Sequence, residues 1–240
     1  MIDLHTHILP GYDDGVRSIE EARELARASA AEGVTAIAAT PHVRADYPTT
    51  LTRMQSGVAL LREDFAREQI PVELLTGGEL DLDRMWQLEP DDLAGFTLAG
   101  NGRWLLVEMP YRGWPAFFER KLEALRRLGL EALLAHPERN GEVQADPGRL
   151  APFVDAGLRV QVTASSLDGR LGQKALQCTR RLLELGLVHV LATDAHAPEV
   201  RETGLSAAVA ALRDDALARR LTVENPEAIV NGAAVATSSL

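Results

Sequence analysis

The chain has 240 residues, 46% of them hydrophobic and 25% charged, which fits one soluble globular domain spanning residues 1–240 and excludes a disordered or low-complexity protein. The formal net charge of -10 argues against nucleic acid as the main partner, and no apolar run reaches membrane-spanning length. Met1 to His5 lacks the basic start and apolar stretch of a signal peptide, so a cytoplasmic protein without membrane insertion is expected; the single cysteine, Cys178, excludes an internal disulfide framework.

In chain order, Ile2 to His7 reads as a buried strand whose alternation sends His5 and His7 to one face, about 7 Å apart. A turn with Pro10, Gly11 and Gly15 follows, carrying Asp13 and Asp14 as hard oxygen donors near the two imidazoles. Ser18 and Glu21 have the form of a capping box for a helix that ends at Gly33. Val34 to Thr40 is apolar enough for a parallel strand covered on both sides, and Pro41 is expected to stop it with His42 just beyond. A helix from about Thr50 to Glu68 leads to strand Val72 to Thr76, closed by Gly77, Gly78 and Glu79. An irregular connection has a short helical piece near Leu82 to Leu88 and a loop with Pro90 and Gly95. Strand Trp104 to Val107 then ends at Glu108.

Helix Pro115 to Leu128 precedes strand Glu131 to Ala135, which ends in His136, Pro137, Glu138 and Arg139. A helix near Arg149 to Ala156 precedes strand Leu158 to Thr163, ending in Ser165 and Ser166. Helix Gly172 to Leu185 precedes strand Leu187 to Ala192, ending in Thr193, Asp194, Ala195 and His196. The tail, Leu205 to Val235, reads as surface helices with a junction at Asn225 and Pro226. Seven strands alternating with helices predict an α/β fold with a parallel sheet. Because nearly every strand ends in a polar residue, a distorted, TIM-barrel-like (β/α)7 barrel with its site at the C-terminal mouth of the strands is expected rather than an open sheet.

His5, His7, His42, His136 and His196 fall on this expected rim together with Asp14, Glu79, Glu108 and Asp194. Any one of these carboxylates alone reads as a helix cap. Nine convergent donors suit two or three divalent ions, with Glu108 or Asp194 bridging. His189 lies on the opposite strand face from Asp194 and reads as structural. Arg139 after His136 and Arg201 after His196 supply guanidinium donors suited to a phosphate, with Arg44 a third candidate. The chemistry this supports is phosphate-ester hydrolysis by metal-activated water. Cys178 lies in an apparent helix and has Glu184 where a cysteine-dependent phosphatase needs an arginine, so it reads as a buried thiol. No dinucleotide loop, P-loop or nucleophile elbow is present in the sequence.

Asp3-Leu4-His5-Thr6-His7, Asp13-Asp14-Gly15, Thr40-Pro41-His42, Gly78-Glu79, Glu108, His136-Pro137-Glu138-Arg139 and Thr193-Asp194-Ala195-His196 together resemble the polymerase and histidinol phosphatase (PHP) superfamily. Within it they resemble the bacterial manganese-dependent tyrosine phosphatases of capsular and exopolysaccharide loci. The resemblance spans positions 1 to 232 and implies a trinuclear site. Its ligands would be His5, His7, Asp14, His42, Glu79, Glu108, His136, Asp194 and His196, with Arg139 and Arg201 on the phosphate and Asp194 also counted as catalytic. It further implies manganese and, as substrate, phosphotyrosine on a partner tyrosine kinase controlling polysaccharide export; the mixed imidazole and carboxylate ligands themselves would accept manganese, iron or zinc. The rival expectations are a small-molecule phosphatase, for example on histidinol phosphate, and a catalytically silent barrel that binds a kinase. Oligomeric state is left open.

Overall fold

The computed structural model describes residues 1–198 and 204–235. Among these residues the strands are β1 (Ile2–Thr6), β2 (Ala36–Ala39), β3 (His42–Val43), β4 (Glu73–Leu75) and β5 (Glu79–Asp81), followed by β6 (Trp104–Glu108), β7 (Glu131–Ala135), β8 (Arg159–Thr163) and β9 (Val190–Ala192). All pair in parallel, in a three-stranded sheet β1-β2-β4 and a six-stranded sheet β3-β5-β6-β7-β8-β9.

All seven predicted strands are present, and two of them are followed by a further short strand, β3 and β5. β2 stops at Ala39, ahead of Pro41, as expected, but the chain does not run off into a loop: Pro41 carries it from one sheet into the other, and its carbonyl accepts the Glu79 N–H at 3.1 Å. The second crossing is at Gly77 and Gly78. A Cβ on Gly78 would lie 2.7 Å from the Phe96 ring, and one on Gly77 would lie 3.1 Å from Leu98, so bare backbone fits where a side chain would not. As a result Glu79 opens β5 instead of trailing a strand, with Leu80 between it and Asp81 packed into the core.

No ladder joins β1 to β9, so the ring is not a closed hydrogen-bonded barrel. The gap is stitched at one end, where His7 N–H donates to Ala195 O (2.9 Å) and Asp194 N–H to His5 O (2.8 Å). Buried Asp3 adds a third tie by accepting the Thr193 N–H at 3.0 Å. Side chains from strands that are not neighbours in either sheet nevertheless meet: His5 on β1 reaches Glu79 on β5 (3.4 Å) and Gln161 on β8 (3.0 Å). The sheets thus curve round one mouth, in the distorted barrel arrangement.

Helix α1 (Ile19–Ala31) starts at Ser18, whose Oγ accepts the Glu21 N–H (3.2 Å), while the Glu21 carboxylate reaches back to the Arg17 N–H (2.7 Å). Helix α2 (Leu51–Arg67) starts at Thr50 and is tied to α1 by a bidentate Arg23–Asp64 pair at 2.7 Å. Pro90–Gly95, read from its Pro and Gly as a loop, forms a short helix with Pro90 in its first turn. The helix expected to start at Pro115 begins at Phe118, and the one near 149–156 is a 3-10 turn, Pro147–Leu150, running into Ala151–Asp155.

The tail differs most from the sequence reading. Its helical pieces, Ser206–Leu212, Asp215–Arg219 and Asn225–Val230, do not merely coat the surface. Ile229 and Val235 are buried with Leu4, Trp104, Leu106 and Leu133 in one apolar cluster, each fully buried aliphatic side chain contributing about 1.5–3 kcal/mol. Trp104 Nε1 donates to Ala233 O (2.8 Å), and Arg159 Nε and Nη2 to Val235 O (2.9 and 2.7 Å). Trp104 and Arg159 open their strands, so the tail seals the end of the barrel opposite the mouth.

Candidate metal centre

The opening strand delivers His5 and His7 with their Nε2 atoms 3.3 Å apart. His5 Nδ1 faces Gln161 Oε1 at 3.0 Å, and His7 Nδ1 donates to Asp13 Oδ2 at 2.8 Å. With Nδ1 engaged on each ring, both Nε2 atoms are presented to the mouth. The turn after β1 has to pass directly behind His7. A Cβ on Gly15 would stand 2.2 Å from His7 O and 2.4 Å from His7 Cβ, which reserves the position for glycine.

The other strand ends supply the opposing donors. Asp194 Oδ1 lies 3.2 Å from Nε2 of both His5 and His7, and Glu79 Oε2 lies 3.4 Å from both. The remaining Glu79 oxygen meets His136 Nε2 at 2.8 Å, while Oε2 also lies 2.8 Å from His42 Nδ1. Glu108 Oε2 is 3.7 Å from the same His42 nitrogen. Farther out, Asp14 Oδ1 is 3.5 Å from Nε2 of both His42 and His196, and the His196 ring stacks on His7 at 3.9 Å between centroids. His136 and Asp194 take left-handed backbone conformations (φ 32° and 54°), uncommon outside glycine, which turn the chain sharply as it leaves β7 and β9. All nine rim residues named from the sequence are thus brought together in four overlapping clusters able to hold a metal ion.

The electrostatics follow from that crowding. Burial alone would depress the His5 pKa, but the Asp194 and Glu79 carboxylates outweigh it and push it up to about 9; His7 is raised for the same reason, with Asp13 the leading partner. Burial would raise Glu79 and Asp194, yet the neighbouring imidazoles, with Arg139 for Asp194, hold both well below the usual carboxylate range. Glu108 goes the other way, to about 8, because burial and the Glu79 charge both oppose its ionisation. His136 is lowered by burial and by Arg139. The mouth therefore attracts positive charge from whatever source is present.

Divalent metal ions fit these residues. A first-row ion held at about 2.0–2.2 Å keeps neighbouring ligand atoms about 3.0–3.5 Å apart. His5 Nε2, His7 Nε2, Asp194 Oδ1 and Glu79 Oε2 already define five such edges of 3.2–3.4 Å. Buried His136 Nδ1 makes no hydrogen bond, and Glu79 Oε2 and His42 Nδ1 meet at 2.8 Å without hydrogen-bond geometry; polar atoms left so at this depth are costly without a partner such as a cation. Five carboxylates, Asp13, Asp14, Glu79, Glu108 and Asp194, face two arginines, Arg44 and Arg139, among the described residues. The local charge calls for cations.

Arg139 Nη2 lies 2.6 Å from Asp194 Oδ2 and donates to Thr163 Oγ1 (3.1 Å), which fixes the guanidinium at the edge of the cluster. Arg44 reaches Glu108 Oε2 at 3.4 Å and pairs with Asp46 at 2.7 Å. Arg201 lies outside the described residues. His189 is fully buried, accepts the Val160 N–H on Nδ1 (3.2 Å) and belongs to none of the clusters. Cys178 is buried, 3.7 Å from Val143 O, and its thiol is pushed up to about 12 by burial.

Several supporting residues were not read from the sequence. Asp13, taken there as an oxygen donor beside Asp14, turns onto His7. Gln161 stands behind His5 from β8, a strand with no candidate ligand at its end. Glu138 Oε1 accepts the Thr163 N–H (2.9 Å) and the Ser166 hydroxyl (2.7 Å). Asn140 caps the helix Gly141–Ala145 and donates to Pro110 O (2.6 Å) and Gly113 O (2.9 Å) in the neighbouring loop after β6. A His-Pro-Glu-Arg-Asn run with no apolar periodicity was the available signal for Glu138 and Asn140.

Similar proteins share this architecture. The family model described as "Capsular polysaccharide synthesis, CpsB/CapC" matches residues 1–231. Tyrosine-protein phosphatase YwqE of Bacillus subtilis (strain 168) is 33% identical over 204 residues, covering 84% of this chain and 79% of that protein. Tyrosine-protein phosphatase CpsB of Streptococcus agalactiae serotype III (strain NEM316) is 26% identical over 242 residues, covering 96% and 98%. A structure from the pair YwqE of Bacillus subtilis and CpsB of Streptococcus pneumoniae, described as unique metal-dependent tyrosine phosphatases, superposes with a TM-score of 0.90 at 30% identity, over 99% of this chain and 97% of that one. This chain belongs to the CpsB/CapC family of capsular polysaccharide synthesis proteins.

Proposed function

We propose that the protein is a metal-dependent phosphomonoesterase that hydrolyses phosphotyrosine on a protein substrate. The observation that carries this reading is the set of donor atoms 3.2–3.4 Å apart on His5, His7, Asp194 and Glu79, with Arg139 locked beside them. The family membership and the phosphatase names of the relatives support it.

His5, His7, Asp194 and Glu79 would hold one ion. Glu79, Glu108 and His136 would hold a second, with Glu79 shared, and Asp14, His42 and His196 a third. The mixed imidazole and carboxylate set suits manganese, and accepts iron or zinc. Bound ions would supply Lewis acidity toward phosphoryl oxygens and lower the pKa of a coordinated water.

The chain's own groups do the rest. Arg139, oriented by Asp194 and Thr163, donates to the phosphoryl oxygens and offsets their growing negative charge; Arg201 is proposed for the same role. Asp194 thus serves both the ion and the arginine. Gln161 and Asp13 keep the two opening imidazoles aimed at the mouth. Residues 1–240 are proposed to act as one unit in the cytoplasm, on a tyrosine kinase that controls polysaccharide export. No helix among the described residues is long and apolar enough to cross a membrane.

The test is turnover of a phosphotyrosine peptide, histidinol phosphate and a phosphodiester by one manganese-loaded preparation. The peptide should be the best substrate. Preference for histidinol phosphate would move the protein to the small-molecule branch, and no hydrolysis of any ester would return it to a silent binding barrel.

A further inference from the structure

The loop after β6 carries Tyr111 to the rim. The residue is 49% exposed, and its ring centroid stands 5.9 Å from that of buried His136, tilted by 30°. Burial pushes its hydroxyl pKa up, and the hydroxyl is near enough to the Arg139 guanidinium for that charge to oppose the rise. The position is built rather than incidental. Asn140, 1% exposed, donates from Nδ2 to Pro110 O and Gly113 O on either side of the tyrosine, and Tyr111 O accepts the Gly141 N–H at 3.0 Å. The element that follows β7 and carries Arg139 therefore also clamps the loop that carries Tyr111.

A second aromatic ring stands on the other side of Glu79. Tyr47 stacks on His42 at 5.7 Å and 13°, and His42 meets Glu79 Oε2, whereas His136, beneath Tyr111, meets Oε1. The Tyr47 ring is also engaged by Arg44, 5.2 Å from its centroid. Both tyrosines flank the mouth, and Tyr111 is the one left half open to solvent.

We propose that Tyr111 is a specificity-determining residue whose ring forms the wall for the aromatic group of an aryl phosphate bound at Arg139. This deepens the phosphatase reading and rests on it. A phosphate gripped by Arg139 must leave its ester substituent pointing out of the mouth, and on the Arg139 side the wall it meets is Tyr111. A flat aryl group can lie edge-on or offset against that ring, and a flexible alkyl chain gains far less from it.

The test compares phenyl phosphate with a small alkyl phosphate on the manganese-loaded full chain, together with inhibition by phenylphosphonate and methylphosphonate as a binding readout. Tyr111→Ala should lower kcat/KM for phenyl phosphate, chiefly through KM, and weaken phenylphosphonate by about two- to tenfold, leaving the alkyl compounds within twofold. Tyr111→Phe, which keeps the ring, should keep the wild-type preference for the aryl over the alkyl compounds. Equal losses on aryl and alkyl compounds, no loss on either, or a Tyr111→Phe defect matching Tyr111→Ala would each overturn the proposal. Wild-type protein inert toward both esters would instead remove the phosphatase reading beneath it.

Discussion

Asp13 Oδ2 accepts a hydrogen bond from His7 Nδ1 at 2.8 Å and, through the same oxygen, the backbone N–H of His42 at 2.9 Å, while its other oxygen takes the Gly15 N–H at 3.0 Å. One carboxylate thus aims two histidines of the mouth and closes the turn between them. Asparagine has the same shape but only one acceptor end. Either orientation of its amide sets an N–H against an N–H. Asp13→Asn should leave the fold intact and weaken manganese binding by about 10–100-fold, the range for groups that orient a ligating histidine. Isothermal titration of the metal-free protein checks this, and unchanged affinity would reduce Asp13 to a turn residue.

The positions of the rim residues were legible because strand ends are local features: an apolar run followed by His, Asp or Glu marks the same edge wherever it occurs. Gln161 was not legible. It sits between Val160 and Val162 inside β8, and its partner His5 is 156 residues away, so nothing nearby in sequence marks it. Pro41 marks the end of its ladder as expected, with β2 stopping at Ala39; what was not legible is that the chain joins a different sheet at the next residue, His42, because its partner there, Glu79, lies 37 residues on. The tail looked like surface helices because half of its apolar residues are alanines, interleaved with arginines and acidic residues; Ile229 and Val235 are buried because the strand starts need a cover, a requirement set by the barrel and not by the tail.

Arg139 pairs with Asp194 at 2.6 Å, and Asp194 is shared with His5 and His7, so a substitution here could act on substrate or on metal. Arg139→Ala should lower kcat/KM for aryl phosphates by about 100-fold, the scale of one lost transition-state donor, and leave bound metal unchanged. Arg139→Lys should recover only a small part, because an ammonium cannot reproduce the planar fork. Steady-state kinetics alongside metal analysis separates the two roles. Loss of metal in parallel with activity would make Arg139 a support for Asp194.

Gly57 lies inside α2, where alanine is favoured over glycine by about 1 kcal/mol. Here the preference is overruled. A Cβ at Gly57 would stand 2.3 Å from Tyr12 Oη and 2.7 Å from its Cζ, and Tyr12 is held by a 2.7 Å hydrogen bond to Arg53 O with the Arg53 guanidinium 4.2 Å from its ring. Gly57→Ala should destabilise the protein by about 1–3 kcal/mol, as overpacking does, and should disturb the Asp13 and Asp14 turn next to Tyr12. In urea unfolding, the Tyr12→Ala, Gly57→Ala double variant should lose less than the sum of the two single variants. Strict additivity would show that the two residues do not collide.

His189 supplies a pH dependence separate from the metal centre. Burial first, and then the Arg159 charge, lower its pKa from 6.5 to about 3, and its Nε2 has no hydrogen-bond partner. Above pH 6.5 neither the folded nor the unfolded state protonates it, and it makes no difference to stability. As pH falls below 6.5 the unfolded chain takes up a proton that the folded chain refuses until about pH 3. Stability is therefore lost on acidification through that window, at about 1.4 kcal/mol per pH unit where the difference is a full proton. His189→Asn keeps an acceptor for the Val160 N–H and removes the titration. Urea unfolding of wild type and variant between pH 7 and pH 4 should give a shallower decline for the variant, whatever its stability at pH 7, and parallel curves would place the acid sensitivity elsewhere.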